Sequence, residues 1–201
     1  MKKMIKDTLI LTIITVVAGL CLGYVYEITK GPIAASREQA KQDAYRAVFH
    51  DADSFAEGEI SHVSNADAIL ESGGFGAVKI DEALTALDAS GNPIGCVLTV
   101  TDSEGYGGDI TVTMGVRNDG TLNGIEFLSI SETAGLGMKA TAPEFKDQFN
   151  DKKVSQFSYT KTGATNEYEI DALSGATFTT KAVLNAVNGG LLYANVAGGG
   201  Q

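Results

Sequence analysis

Asp171-Ala172-Leu173-Ser174-Gly175-Ala176-Thr177 runs straight into an apolar-periodic segment near the C-terminus. Val183, Leu184, Val187 and Leu191 form a stripe at helical spacing, which predicts a helix from Phe178 to about Ala194. Gly189-Gly190 should weaken its later turns. Hydroxyls, a glycine and a small alanine therefore gather at a helix start, with one acidic side chain on the approach. Such a set suits an anionic group held at the positive end of a helix, where unpaired backbone N–H groups point outward. The plainer alternative is that Ser174 or Thr177 is an ordinary N-cap. A second copy of the core, Thr162-Gly163-Ala164-Thr165, serves as an internal control. Tyr159, not an acid, stands three residues before it, and no apolar helix pattern follows.

Upstream of the motif the pattern has a period of two. Val78, Ile80, Ala83, Leu84 and Leu87 lead into the turn Asp88-Ala89-Ser90-Gly91-Asn92, and Ile94, Cys96, Leu98 and Val100 return in alternation. Cys96 should share the buried side of that strand as an unreactive thiol. A second hairpin follows: Ile110, Val112, Met114 and Val116, the turn Asn118-Asp119-Gly120, then Leu122 to Ile130. Consecutive hairpins predict an antiparallel sheet with helices segregated around it, an α+β domain. No G-x-G-x-x-G follows a strand, so Gly105-Tyr106-Gly107-Gly108 reads as a loop. Thr141-Ala142-Pro143-Glu144 has the pattern of a capping box ahead of a short helix from Phe145 to Phe149 that covers one sheet edge. Val154 to Tyr159 and Glu167 to Ile170 read as short strands. Residues 51–76 read as an irregular connection with at most a short strand near Ile60.

At the other end, no charge interrupts Thr8 to Tyr26, about the length of a bilayer-crossing helix. Lys2, Lys3 and Lys6 precede it, which favours a cytoplasmic N-terminus and an exported C-terminal domain. A cleaved signal peptide fits less well, because the apolar run is long and no small-x-small site follows. A lipoprotein signal at Cys21 is disfavoured by the bulk of Leu20. Gly31-Pro32 should break the helix, and Pro32 should begin an amphipathic one that continues to about His50. The divisions expected are a cytoplasmic segment 1–7, a spanning helix 8–26, a juxtamembrane helix and connection 27–76, a domain core 77–195 and a disordered tail 196–201. A net charge of -10 over 201 residues argues against nucleic acid as a partner. Two cysteines, one of them inside the apolar run, and two isolated histidines, His50 and His62, have no metal-site spacing.

The motif Asp171 to Thr177 resembles, residue for residue, the flavinylation sequence of the FMN-binding subunits of bacterial membrane redox pumps. Tyr26-Glu27-Ile28-Thr29-Lys30-Gly31-Pro32-Ile33 and Gly105-Tyr106-Gly107-Gly108 are similar to segments of the same family. Glu132-Thr133-Ala134-Gly135-Leu136-Gly137 looks like its Glu-Thr-Pro-Gly-Leu-Gly loop, with Ala134 in place of proline. The resemblance covers nearly the whole chain and is strongest to the G subunit of Rnf electron-transport complexes. The C subunit of the sodium-translocating NADH:quinone reductase comes second. The resemblance implies FMN joined to Thr177 by a phosphoester, with Asp171, Ser174, Gly175 and Ala176 as the recognition motif of a separate flavin transferase. It implies that Thr133, Gly135 and Leu136 lie against the isoalloxazine ring, while Glu132 either polarises a ring edge or is a solvated carboxylate. The implied activity is electron carriage within a membrane-bound, ion-translocating ferredoxin:NAD+ oxidoreductase, beside other membrane subunits. No general acid, base, nucleophile or metal is required of this chain. A stand-alone extracytoplasmic FMN-binding module and a plain exported binding domain without flavin are the readings of a different class.

Overall fold

The computed structural model describes residues 2–58 and 66–197. The chain divides into two units, residues 1–42 and Asp43–Gln201. Helix α1, Lys2–Val48, supplies the described part of the first and continues into the second with its last turns. Its apolar stretch is long enough to cross a membrane, and none of it is buried inside the protein. The hydroxyls of Thr8, Thr12, Thr15 and Thr29 donate back to the carbonyls of Met4, Thr8, Thr12 and Val25, at 2.8–3.0 Å. These threonines are thereby satisfied within the helix, as a hydrocarbon environment demands.

The break expected at Gly31-Pro32 is absent: α1 runs through Pro32 without interruption. Inside a helix a proline gives up its own hydrogen bond and its ring crowds the carbonyl four residues back, here that of Ile28, as well as the residue before it; Gly31, with no Cβ, relieves only the last of these. Ala34, Ala35, Glu38, Gln39 and Ala40 then favour helix on the far side, so one lost hydrogen bond is tolerated.

The second unit is built on a five-stranded antiparallel sheet in sequential order. Its strands are β1 (Ser54–Ala56), β2 (Val78–Leu87), β3 (Pro93–Asp102), β4 (Ile110–Arg117) and β5 (Leu122–Ser129). Both expected hairpins are present, β2 to β3 and β4 to β5. A short helix α2, Ala66–Ser72, lies in the stretch read as irregular; Ile60 and His62 lie outside the described residues. On one face Cys96, Leu98, Val100, Val112 and Met114 pack against the C-terminal helix α4, Thr177–Ala197. Burial raises the Cys96 thiol pKa to about 12, so it is an inert core group.

Gly189 and Gly190 do not interrupt α4, and they let it lie directly on the sheet. A Cβ on Gly189 would come within 2.9 Å of Val78, and one on Gly190 would overlap the Met114 sulfur. The opposite face holds a smaller cluster, where Tyr45, Val48 and Phe49 at the end of α1 meet Ala86 and Val97. There Tyr45 donates to Glu82 at 2.6 Å, and Gly115 is pressed so close to the Val48 carbonyl that a Cβ would overlap it.

Beyond β5 a 3-10 turn, Gly137–Thr141, leads to a short helix α3, Pro143–Lys146, and a second 3-10 turn, Asp147–Phe149. The capping box does not form. The Thr141 hydroxyl donates instead to the Met138 carbonyl at 2.9 Å, and α3 starts after Ala142 with Pro143 in its first turn. Strands β6 (Ser158–Thr160) and β7 (Glu169–Asp171) pair in parallel, apart from the main sheet. The buried Asn188 fastens their approach to α4, accepting the Phe157 N–H at 2.7 Å and donating to the Phe157 carbonyl at 3.0 Å.

One acid breaks the core pattern. Asp102, at the end of β3, is fully buried, and its Oδ2 has no hydrogen-bond partner among the described residues. Burial, with a smaller push from the Glu104 and Asp109 carboxylates, raises its pKa from 3.8 to about 6, partly offset by the Glu104 N–H and the Asn185 amide. Between those two values the folded form binds the proton more tightly than the unfolded one, so stability falls as pH rises through that window. Asp102→Asn should flatten the dependence of the urea midpoint on pH over that window. Gly115→Ala should lower stability by about 1–3 kcal/mol through overpacking against Val48, read in the same urea titration.

Candidate functional site

The sequence motif lies where β7 hands the chain to α4. Thr177 is the first helical residue and Ala176 stands in the cap position. The turn before it is closed by the Ala176 N–H donating to the Leu173 carbonyl at 3.1 Å. Gly175 makes that turn at φ +75, a left-handed conformation that favours glycine. Thr180, buried one turn into the helix, completes it. Its hydroxyl accepts the Leu173 N–H at 3.1 Å and donates to the Ala176 carbonyl at 2.9 Å.

Ser174 and Thr177 are therefore not N-caps. Neither side chain makes a hydrogen bond among the described residues, and the role of fastening the turn falls to Thr180. Thr177 is half-buried and Ser174 exposed. The N–H groups of Thr177, Phe178 and Thr179 likewise have no acceptor among the described residues. Three free donors thus converge at the end of a 21-residue helix that carries a partial positive charge.

The loop Glu132 to Gly137 reaches this end of α4. The Leu136 side chain comes within 3.2 Å of where a Gly175 Cβ would stand. Gly137 is wedged between two side chains: a Cβ there would be 2.6 Å from the Thr179 hydroxyl and 2.7 Å from Glu132. The loop folds as a tight turn without the family's proline. The Leu136 and Met138 N–H groups both donate to the Thr133 carbonyl, at 3.1 and 3.2 Å, and Gly135 supplies φ +77. Thr133 and Leu136 remain exposed. Glu132 is not a solvated carboxylate: it is buried, and its Oε1 accepts the Gly107 N–H at 3.1 Å. The glycine-rich loop 105–108 is thereby joined to the same cluster.

Asp171 stands on the other side of the motif, exposed at the end of β7. Its Oδ1 accepts the Ala164 N–H at 2.7 Å, and its own N–H donates to the Gln148 side chain at 2.5 Å. The second T-G-A-T sequence is therefore folded onto the first motif's acid, a contact with no sequence signal. Glu169 accepts the Thr165 N–H at 3.0 Å, its hydroxyl at 3.2 Å and the Asn166 N–H at 3.2 Å. These bonds, that from the Thr165 N–H first, hold the Glu169 carboxyl below the usual range. Thr165 thus faces an anion, whereas Thr177 sits at the positive end of a helix.

Residues 105–191 match the family model of the FMN-binding domain, and residues 1–48 that of the RnfG N-terminal region. The G subunit of the proton-translocating ferredoxin:NAD(+) oxidoreductase complex of Clostridium ljungdahlii is 32% identical over 88% of this chain and 84% of that protein. Its counterpart in the Na(+)-translocating ferredoxin:NAD(+) oxidoreductase complex of Acetobacterium woodii is 31% identical over 93% of this chain and 89% of its own. The corresponding protein of the ion-translocating oxidoreductase complex of Methanosarcina acetivorans, at 28% identity, aligns over 98% of both chains. Among solved structures, NqrC of Shewanella oneidensis superposes with a TM-score of 0.50 at 18% identity, over 75% of this chain and 71% of that one, a likeness of fold alone. With alignments that span both units at these identities, the chain belongs to the RnfG family, the G subunits of ion-translocating oxidoreductase complexes.

Proposed function

We propose that this chain is the covalent-FMN electron carrier of a membrane ion-translocating ferredoxin:NAD+ oxidoreductase, with the flavin joined through its phosphate to Thr177. The observation that carries the reading is the position of that threonine. Its half-buried side chain makes no hydrogen bond within the described protein, and the three N–H groups at the helix start have no acceptor there either. The residues present fit a phosphorylated flavin. The free donors match a phosphate. Gly135 leaves open space beside its Cα, and Leu136 offers an exposed apolar side chain next to Gly175.

When bound, FMN supplies reversible one- and two-electron chemistry. The chain's own part is to hold and orient it. The N–H groups of Thr177, Phe178 and Thr179 offset the charge of the phosphodiester. Thr133, Gly135 and Leu136 form the side against which the ring is held, and Leu136 keeps water from it. A covalent link at Thr177 maintains a high local concentration where free FMN cannot be resupplied. Asp171 presents the motif to the transferase and braces the neighbouring loop through Ala164. The partners in this reading are the other membrane subunits of the complex. Residues 8–26 anchor the chain with its N-terminus in the cytoplasm, and residues 77–195 hold the flavin outside.

Expression together with a flavin transferase, followed by peptide mass spectrometry, tests the assignment. The peptide containing Thr177 should carry the FMN mass, and fluorescence should survive denaturing electrophoresis. Thr177→Ala should lose both completely, while Thr165→Ala should match the unaltered chain. Flavin on Thr165, or colourless protein with Thr177 bare, would overturn the reading.

A further inference from the structure

The connection between β3 and β4, residues 103–109, is held more firmly than a surface loop requires. At its start the Glu104 N–H donates to Asp102 Oδ1 at 2.7 Å. Near its end the Gly107 N–H donates to Glu132 Oε1 at 3.1 Å. Both acceptors are buried carboxylates. A Cβ on Gly105 would overlap the Gly108 carbonyl, and one on Gly107 would overlap the Ser131 carbonyl. The backbone on each side of Tyr106 is thus immobilised, yet the Tyr106 side chain is 73% exposed.

An exposed aromatic is ordinary by itself. What distinguishes this one is its support: burying carboxylates is unfavourable unless they are well paired, and here they fix a loop whose one large apolar side chain stands in water. Glu132 also locates it. The Tyr106 loop lies on one side of this carboxylate, and Gly137, which touches Thr179 in the first turn of α4, lies on the other. Leu136 and Phe178, from the other two segments of the cluster, are exposed as well, at 44% and 67%. An exposed aromatic on a fixed backbone, joined through one carboxylate to the loop that reaches the free donors of α4, matches a planar heterocycle with a phosphate arm.

We propose that Tyr106 is a flavin-contacting residue, its ring presented by the loop that Asp102 and Glu132 hold, and that it forms one wall of the place where the isoalloxazine rests. This rests on the reading of Thr177 as the attachment site.

The test uses the full-length chain flavinylated by a transferase, as Tyr106→Ala and Tyr106→Phe, with occupancy of Thr177 set by mass spectrometry. Contact with tyrosine quenches flavin fluorescence, so Tyr106→Ala should raise the yield several-fold at equal occupancy. It should also lose the visible circular dichroism band that an asymmetric ring contact induces. Tyr106→Phe should keep that band. Glu132→Gln, which retains an oxygen for the Gly107 N–H, should behave as the unaltered chain, whereas Glu132→Ala should shift both signals in the direction of Tyr106→Ala. Unchanged fluorescence and dichroism in a fully flavinylated Tyr106→Ala would overturn the assignment while leaving Thr177 in place. An unaltered chain with no flavin mass on Thr177 would overturn both.

Discussion

The hydroxyl of Thr180 takes the Leu173 N–H and gives its proton to the Ala176 carbonyl, and this pair of bonds fixes where α4 begins. Were the turn closed by a cap from Ser174 or Thr177, one of those hydroxyls would be occupied and one of the first N–H groups consumed. Placing the fastening residue inside the helix, where burial shields it from water, leaves the outer side of the turn unengaged. Gly175 serves the same end, since its left-handed backbone turns the chain without a side chain to cover Leu136.

Around that turn the protein uses buried polarity sparingly. Asn188 satisfies both polar groups of Phe157, so its burial is compensated. Glu132 is buried but accepts a backbone N–H. Of the two buried carboxylates Asp102 is the less well paired, with one oxygen unpartnered among the described residues and its pKa raised to about 6. Such a group adds no net stability at neutral pH. Its effect is geometric, in the start of the loop that carries Tyr106.

Much of this was legible in the sequence, and the reasons are local. The two hairpins could be read because Ile110 to Val116 alternates strictly, Ile94 to Val100 does so but for Val97, and their turns carry Asp, Asn and Gly at positions that need them. The apolar stripe of α4 and the uncharged run of α1 were equally plain. Where the reading failed, a local rule was outweighed by something spatial or by a neighbour's size. Gly31 eases part of the crowding that Pro32 imposes, and the helix continues through it. Thr141 turns its hydroxyl back to Met138 rather than forward to a helix. Gly189 and Gly190 read as weak helix formers, although their lack of side chains is what seats α4 on the sheet. The contacts of Asp171 with Ala164, and of Glu132 with Gly107, join segments distant in sequence and leave no periodic trace.

The same glycine pair has a mechanical consequence. Gly190 lies thirteen residues from the start of α4, roughly 20 Å along the axis. Because Met114 and Val78 fill the notches that the two glycines leave, α4 can neither slide nor roll without driving a side chain into the sheet. It is keyed like a shaft in a slot. The placement of its tip is thus gauged from the far side of the domain, and a single methyl added at that distant seat would displace the donors at the other end.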